Sequence, residues 1–313
     1  MIHTRKLLAL PALALFTAAA LAQSGAPRTL YEAKSEFQKI TVRDINGFRQ
    51  LIFDGKFDGT DPIQSEMKLA APTELTLAYA KHMITALPLT PNNNKPHILV
   101  VGLGGACIQR YIHKLLPDAM IESAELDPAV LDVAQKFFDY KTDDHQKIHL
   151  GDGRRFIEHS ADKYDLIMLD AFSATSIPYM LATKEFLTAC KDHLTDEGGG
   201  SLVCANLWYD VPDYHDMVKT YAAVFPEIHV LRCPGSSNNI LMALPTKMNI
   251  TAETWTAAAK AFEKAHPTGA TINLTQLIDR ALEATPRLPA EAKVLLDQDE
   301  AMHELKSTVR PTP

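Results

Sequence analysis

Three carboxylates and a bend of glycines are the residues of this chain with chemistry to offer. Residues 97–127 read HILVVGLGGACIQRYIHKLLPDAMIESAELD. The apolar run at 98–101 predicts a buried strand, which breaks into Gly102-Leu103-Gly104-Gly105. A helix is predicted next, then a second strand ending in Glu125-Leu126-Asp127. Strand, glycine turn, helix, strand and acid, in that order, form a nucleoside-binding unit. The glycines admit a ligand where a Cβ would collide. A carboxylate at the strand tip can accept hydrogen bonds from both ribose hydroxyls. Gly102 and Glu125 are separated by close to the ~20 residues such a unit needs. Asp127 has two readings: with Pro128 behind it, it caps a helix as well as it binds a ligand. Asp152, between Gly151 and Gly153, can reach an adenine amino group or simply serve a turn. Asp170 closes the apolar run 165–170 and would project into the same cleft. There it could hold a cationic amine or take its proton, the alternatives being a cap or a loop ion pair.

These acids need a sheet to position them. Strands are predicted at 98–101, 120–125, 148–150, 165–170, 201–206, 228–232 and 239–243, with helices in the gaps, among them 128–138, 183–193 and 214–225. Strands alternating with helices predict a parallel sheet covered on both faces, whose ligands sit at the carboxyl ends of the strands. The glycine turn, Glu125, Asp152 and Asp170 all follow such ends. Upstream, FQKITVRD and FRQLIFDGKF flank Asn46-Gly47, a strong hairpin signal, with a second turn at Asp54-Gly55. Residues 24–28 read as a polar linker. A helix is predicted over 73–87, capped by Thr73, followed by a loop at 88–96. From Thr251 the pattern is helical without a chemical motif.

Composition narrows the partners. A net charge of −7 argues against nucleic acid and accommodates a cationic ligand. Arg5 and Lys6, a short apolar run at 7–21 and Ala20-Leu21-Ala22 form a signal-peptide pattern with cleavage after Ala22. The expectation is export to the periplasm or beyond, with no stable membrane span after cleavage. Losing Arg5 and Lys6 and no acid takes the charge from −7 to −9. Cys107 and Cys204 read as buried free thiols, and no metal site is read among the histidines. His82, His113 and His145 read as solitary surface residues.

The motif order resembles the spermidine/spermine synthase family, the polyamine aminopropyltransferases. The likeness spans roughly residues 31–245 and includes Leu51-Ile52-Phe53-Asp54-Gly55. Asp170-Ala171-Phe172-Ser173 with Ile177-Pro178 is similar to its divergent bacterial branch. The resemblance implies an α/β fold: a Rossmann-like S-adenosylmethionine-dependent-transferase sheet preceded by a small antiparallel β unit and followed by a helical C-terminal extension. The residue patterns divide the chain into a signal peptide (1–22), a β-hairpin unit with its linking helix (23–93), a nucleoside-binding domain (94–247) and the extension (248–313). The resemblance implies decarboxylated S-adenosylmethionine as donor, or S-adenosylmethionine itself, with no metal. The acceptor is then a small-molecule amine, and a homodimer is left open. By the same resemblance Gly102, Gly104, Gly105, Asp127 and Gly153 frame the donor. Glu125 binds its ribose, Asp152 its adenine, and Asp170 the attacking amine, with Tyr79 and Ser173 on the substrate side. Three acids of the family pattern are replaced: by Gly105 in the glycine turn, by Ser173, and near Tyr79, where Lys81 and His82 stand. The nucleoside pocket is thus more complete than the polyamine pocket. Two other readings share the scaffold: an S-adenosylmethionine-dependent methyltransferase, and a non-catalytic exported protein on a degenerate synthase frame.

Overall fold

The computed structural model describes residues 25–54, 61–172, 177–195, 200–269, 271–283 and 288–300. The signal-peptide reading of 1–22, Gly55 and Ser173 lie outside them. Four strands, β1 (Arg28–Lys34), β2 (Lys39–Ile45), β3 (Phe48–Phe53) and β4 (Ile63–Lys68), form an antiparallel sheet in sequence order. Asn46 and Gly47 both take left-handed φ, 51° and 82°, and the two-residue turn pairs Ile45 with Phe48. The linker expected at 24–28 runs straight into β1, and β4 escaped the sequence reading. Both are edge strands of a sheet with one covered face, so half of their residues are polar. The covered face, Ile40, Val42, Leu51, Phe53 and Met67, packs on Leu103, Val130, Val133 and Phe138. That contact seats the small sheet over the glycine turn.

The helix expected over 73–87 is shorter. Residues 71–74 form a turn, Leu75 bridges Met67, and the Thr76 hydroxyl donates to the Glu66 carbonyl, so the helix starts only after Leu77 and Thr73 is not its cap. α1 (Ala78–Met83) then tightens into a 3-10 turn at Ile84–Leu89 that contains Pro88. His82 is buried there, its Nδ1 2.7 Å from the Ala78 carbonyl, and burial lowers its pKa. It is not a surface residue; nor is His113 solitary, lying 3.1 Å from Asp143.

The large sheet holds β5 (His97–Val101), β6 (Met120–Glu125), β7 (Gln146–Leu150), β8 (Leu166–Leu169), β9 (Leu202–Trp208), β10 (Glu227–Arg232), β11 (Asn238–Leu244) and a two-residue β12 (Leu282–Glu283). Their order is β12-β10-β11-β9-β8-β5-β6-β7. Strands β9-β8-β5-β6-β7 are parallel, whereas β11 runs antiparallel to both its neighbours, β9 and β10. The all-parallel expectation fails at that edge because the link from Arg232 to Asn238 has no helix, and so short a link can only make a hairpin. β5 is buried throughout after His97, as a strand covered on both faces must be.

Helices α2 (Cys107–Leu115), α3 (Pro128–Phe137), α4 (Gly153–His159), α5 (Lys184–Asp192) and α6 (Tyr214–Val224) cover the sheet, joined by α7 (Ala252–Ala265) and α8 (Leu274–Ala281). Trp255, Phe262, Leu274 and Ile278 complete the core on one face, and the Trp255 indole donates to the Thr85 carbonyl at 2.9 Å. Glu122, in mid-β6, accepts from His97 Nε2 (2.7 Å) and His149 Nε2 (2.6 Å), which hold its carboxyl at about 2. Among the described residues no helix is long and apolar enough to cross a membrane.

Candidate active site

From β5 the chain moves to β6 and β7 on one side, and β8 and β9 lie on the other. The order reverses between β5 and β8, and a crevice opens there at the carboxyl ends of the strands. Gly102 and Asp170, which follow these two strands, meet across it. A Cβ on Gly102 would stand 2.4 Å from the Asp170 carbonyl oxygen, and Gly102 has φ 102°. Gly102→Ala is therefore expected to destabilise the fold by more than about 2 kcal/mol, through both clash and backbone strain, as urea unfolding will measure.

A cavity of about 330 Å3 fills the crevice, within the usual range for small-molecule sites of roughly 300–1,000 Å3. Gly102, Gly104, Glu125, Asp127, Asp152, Gly153, Asp170 and Tyr79 all line it, so residues scattered over 92 positions converge on one space. Phe37, Phe53, Leu126 and Leu181 give it apolar walls suited to a flat ring.

Glu125 is bound into the glycine turn. Oε2 accepts from the Leu103 N–H (3.0 Å) and Oε1 from the Asp127 N–H (2.8 Å). A carboxylate has about four acceptor directions, so two are left for a diol. Burial raises its carboxyl to about 7 against the pull of these N–H groups. Asp127 is the N-cap of α3: Oδ1 accepts from Ala129 N–H (2.9 Å) and Oδ2 from the Ser35 hydroxyl (2.6 Å). The cap reading of this residue is thus seen, and as Asp127 also lines the cavity with one bond on each oxygen, the ligand reading is compatible with it. Asp152 caps α4 through the Arg155 N–H (3.0 Å) yet is exposed at the cavity mouth, so cap and ligand readings are compatible there.

Asp170 accepts from Asn206 Nδ2 at 2.9 Å, and Asn206 Oδ1 in turn accepts from Asn238 Nδ2 at 2.8 Å. Burial pushes the Asp170 carboxyl up to about 7, opposed by the Asn206 bond. The Tyr79 hydroxyl donates to the Gln64 carbonyl (3.1 Å), and burial with the charge of Asp170 raises its pKa. Among the described residues no group of three or more His, Cys, Asp or Glu is arranged to hold a metal ion.

The family model of the spermine/spermidine synthase domain matches residues 77–244, more than half of the chain. The chain belongs to the spermine/spermidine synthase family. A polyamine aminopropyltransferase of Vibrio vulnificus is 29% identical over 228 residues, covering 72% of this chain and 74% of the relative. The crystal structure of spermidine synthase from Thermotoga maritima superposes with a TM-score of 0.60 at 19% identity, covering 84% of this chain and 85% of its own. Human methyltransferase-like protein 13, solved in complex with SAH, gives 0.55 at 26% identity over 70% of this chain and 98% of that chain.

In this member of the synthase family the position of the missing loop acid is physically closed. A Cβ at Gly105 would lie 2.8 Å from the Phe138 ring and 2.9 Å from Ser65 Cβ. Gly105 does not line the cavity; its N–H donates to the Ser65 hydroxyl at 2.8 Å behind the wall. The synthase-family chain also uses residues that sequence reasoning missed. Gln64 and Ser65 come from the unrecognised β4, and Asn206 from β9. A signal for Asn206 existed: an amide inside the apolar run LVCANLW must find a partner, and that partner is Asp170. Arg154 lines the cavity, but its guanidinium is held by Asp297 (2.6 and 2.7 Å) and Glu158 (2.7 Å). That pairing was invisible in sequence because its partners lie up to 143 residues apart.

Proposed function

We propose that this protein is an exported aminopropyltransferase, which binds decarboxylated S-adenosylmethionine in the crevice and passes its aminopropyl group to an amine. What supports the reading most is Asp170, a carboxyl raised to about 7 at the edge of a nucleoside-shaped cavity. Glu125 takes the ribose hydroxyls, Asp152 the adenine amino group, and the glycine turn lets backbone lie against the nucleoside. The amine attacks the carbon beside the sulfonium, the carbon–sulfur bond breaks, and its electron pair stays on sulfur as neutral methylthioadenosine. The ammonium proton leaves to Asp170 and then to solvent. Raising this carboxyl from 3.8 to about 7 reduces the uphill cost of that transfer by at most roughly 4 kcal/mol. Alignment supplies the rest, because the sulfonium is already activated. Asn206 keeps the acceptor oxygen of Asp170 in place.

One preparation tests both halves of the proposal. The chain is expressed with its leader, recovered from the exported fraction and sequenced from its N-terminus, which is expected to be Gln23. Calorimetry then compares decarboxylated S-adenosylmethionine, methylthioadenosine and S-adenosylmethionine. Micromolar binding of the first two is expected. Preference for S-adenosylmethionine would move the protein to methyl transfer, and no binding at millimolar concentration would end the enzymatic reading.

A further inference from the structure

Beside Asp170 the crevice continues into a second hollow of about 370 Å3, which shares Gln64, Tyr79 and Phe172 with the first. Its walls include three amides and three aromatic rings among aliphatic and small residues. Asn206 and Asn238 line it, linked to each other and through Asn206 to Asp170. Phe172 stacks on Trp208 with centroids 5.1 Å apart and planes at 28°. Among the described lining residues of this hollow the sole carboxylate is Asp61, and it is ion-paired with Arg43 at 2.9 Å. A linear diamine would bring a second ammonium into this space. The carboxylate there to balance it is already neutralised by Arg43, and amide dipoles do not supply a countercharge. Ring faces do attract a single ammonium and stack on a flat acceptor.

We propose that this hollow receives the acceptor, and that the acceptor is an aromatic primary amine with one positive charge rather than a diamine. The inference rests on the aminopropyl-transfer reading above. The ammonium sits at the junction of the two cavities, opposite Asp170, and the ring lies against Phe172 and Trp208. The amine nitrogen gains the aminopropyl carbon, methylthioadenosine departs with the sulfur electron pair, and one proton goes to Asp170. The product is a secondary amine.

The test measures methylthioadenosine release at saturating decarboxylated S-adenosylmethionine with tyramine, putrescine or spermidine as acceptor. Tyramine is expected to exceed putrescine at least tenfold in kcat/KM. Ser237→Asp adds a carboxylate to the lining without removing any side-chain bond of Ser237 among those described, and is expected to raise putrescine turnover about tenfold. Putrescine equal to or better than tyramine in the unmodified protein overturns the inference while leaving aminopropyl transfer intact. So does bound donor with no tyramine turnover. If the donor fails to bind, the functional reading falls instead, and direct titration of tyramine against putrescine still decides what the hollow prefers: a tighter putrescine overturns the inference.

Discussion

Asp170→Asn is expected to lower kcat for methylthioadenosine release about 1,000-fold while leaving donor affinity within a factor of three. Asparagine keeps the shape and can still meet Asn206, but it takes no proton. The pH profile carries the stronger signature. With its carboxyl near 7, Asp170 becomes a competent acceptor only as pH rises through that value, so the wild-type rate should climb between about pH 6 and 8. The variant should lose that limb. Stability moves the other way. A carboxyl whose folded pKa is raised above its unfolded value of 3.8 costs the folded state increasing free energy as pH climbs from about 4 to 7. Asp170→Asn lacks that cost, so it should gain on the order of 1–3 kcal/mol relative to wild type between pH 4 and pH 8, with the open crevice screening part of the effect. Equal turnover of the two proteins at pH 8 would remove Asp170 from the chemistry.

Glu125→Ala is expected to weaken donor binding about 30- to 100-fold, or roughly 2–3 kcal/mol. The substitution removes the diol acceptor and also strands the Leu103 and Asp127 N–H groups that the carboxylate satisfies. Glu125→Gln separates the two losses. It keeps the shape and one acceptor oxygen but turns an amide NH2 toward one of those donors, so an intermediate loss of about tenfold is expected. Calorimetry with methylthioadenosine reads both variants, and thermal unfolding monitors the turn. A loss below threefold for the alanine variant would show that the ribose lies elsewhere.

The half of the crevice around Glu125 was legible because its parts are local. Gly102, Gly104 and Glu125 lie on one strand–turn–helix–strand unit, where spacing along the chain translates directly into position. Asp152 and Asp170 were reachable by the same rule, since each follows a parallel strand whose carboxyl end faces the same edge. The half around Asn206 and Trp208 was not legible. Gln64 sits on an edge strand with a weak pattern, Asn238 on a hairpin read as part of a parallel sheet, and Trp208 at the end of a strand predicted to stop two residues earlier. Periodicity over a few residues does not say which distant strand will be a neighbour.

The chain's own residue order determined the parallel α/β core, the hairpin at Asn46-Gly47 and the edge on which its acids gather. These follow from short-range geometry: alternation, glycine torsions and the handed strand–helix connection. Tertiary structure alone decided what each acid is for. Asp127, a cap by its local bond to the Ala129 N–H, gained a second tie because Ser35, 92 residues away, lies against its other oxygen. Asp170 holds its proton up to about 7 because burial penalises its charge and a single amide supports it. Gly105 lost the room for a carboxylate because Phe138 and Ser65 pack against it. A side chain's protonation and its free hydrogen-bonding capacity depend on what surrounds it in space, and those surroundings are assembled only when distant segments meet.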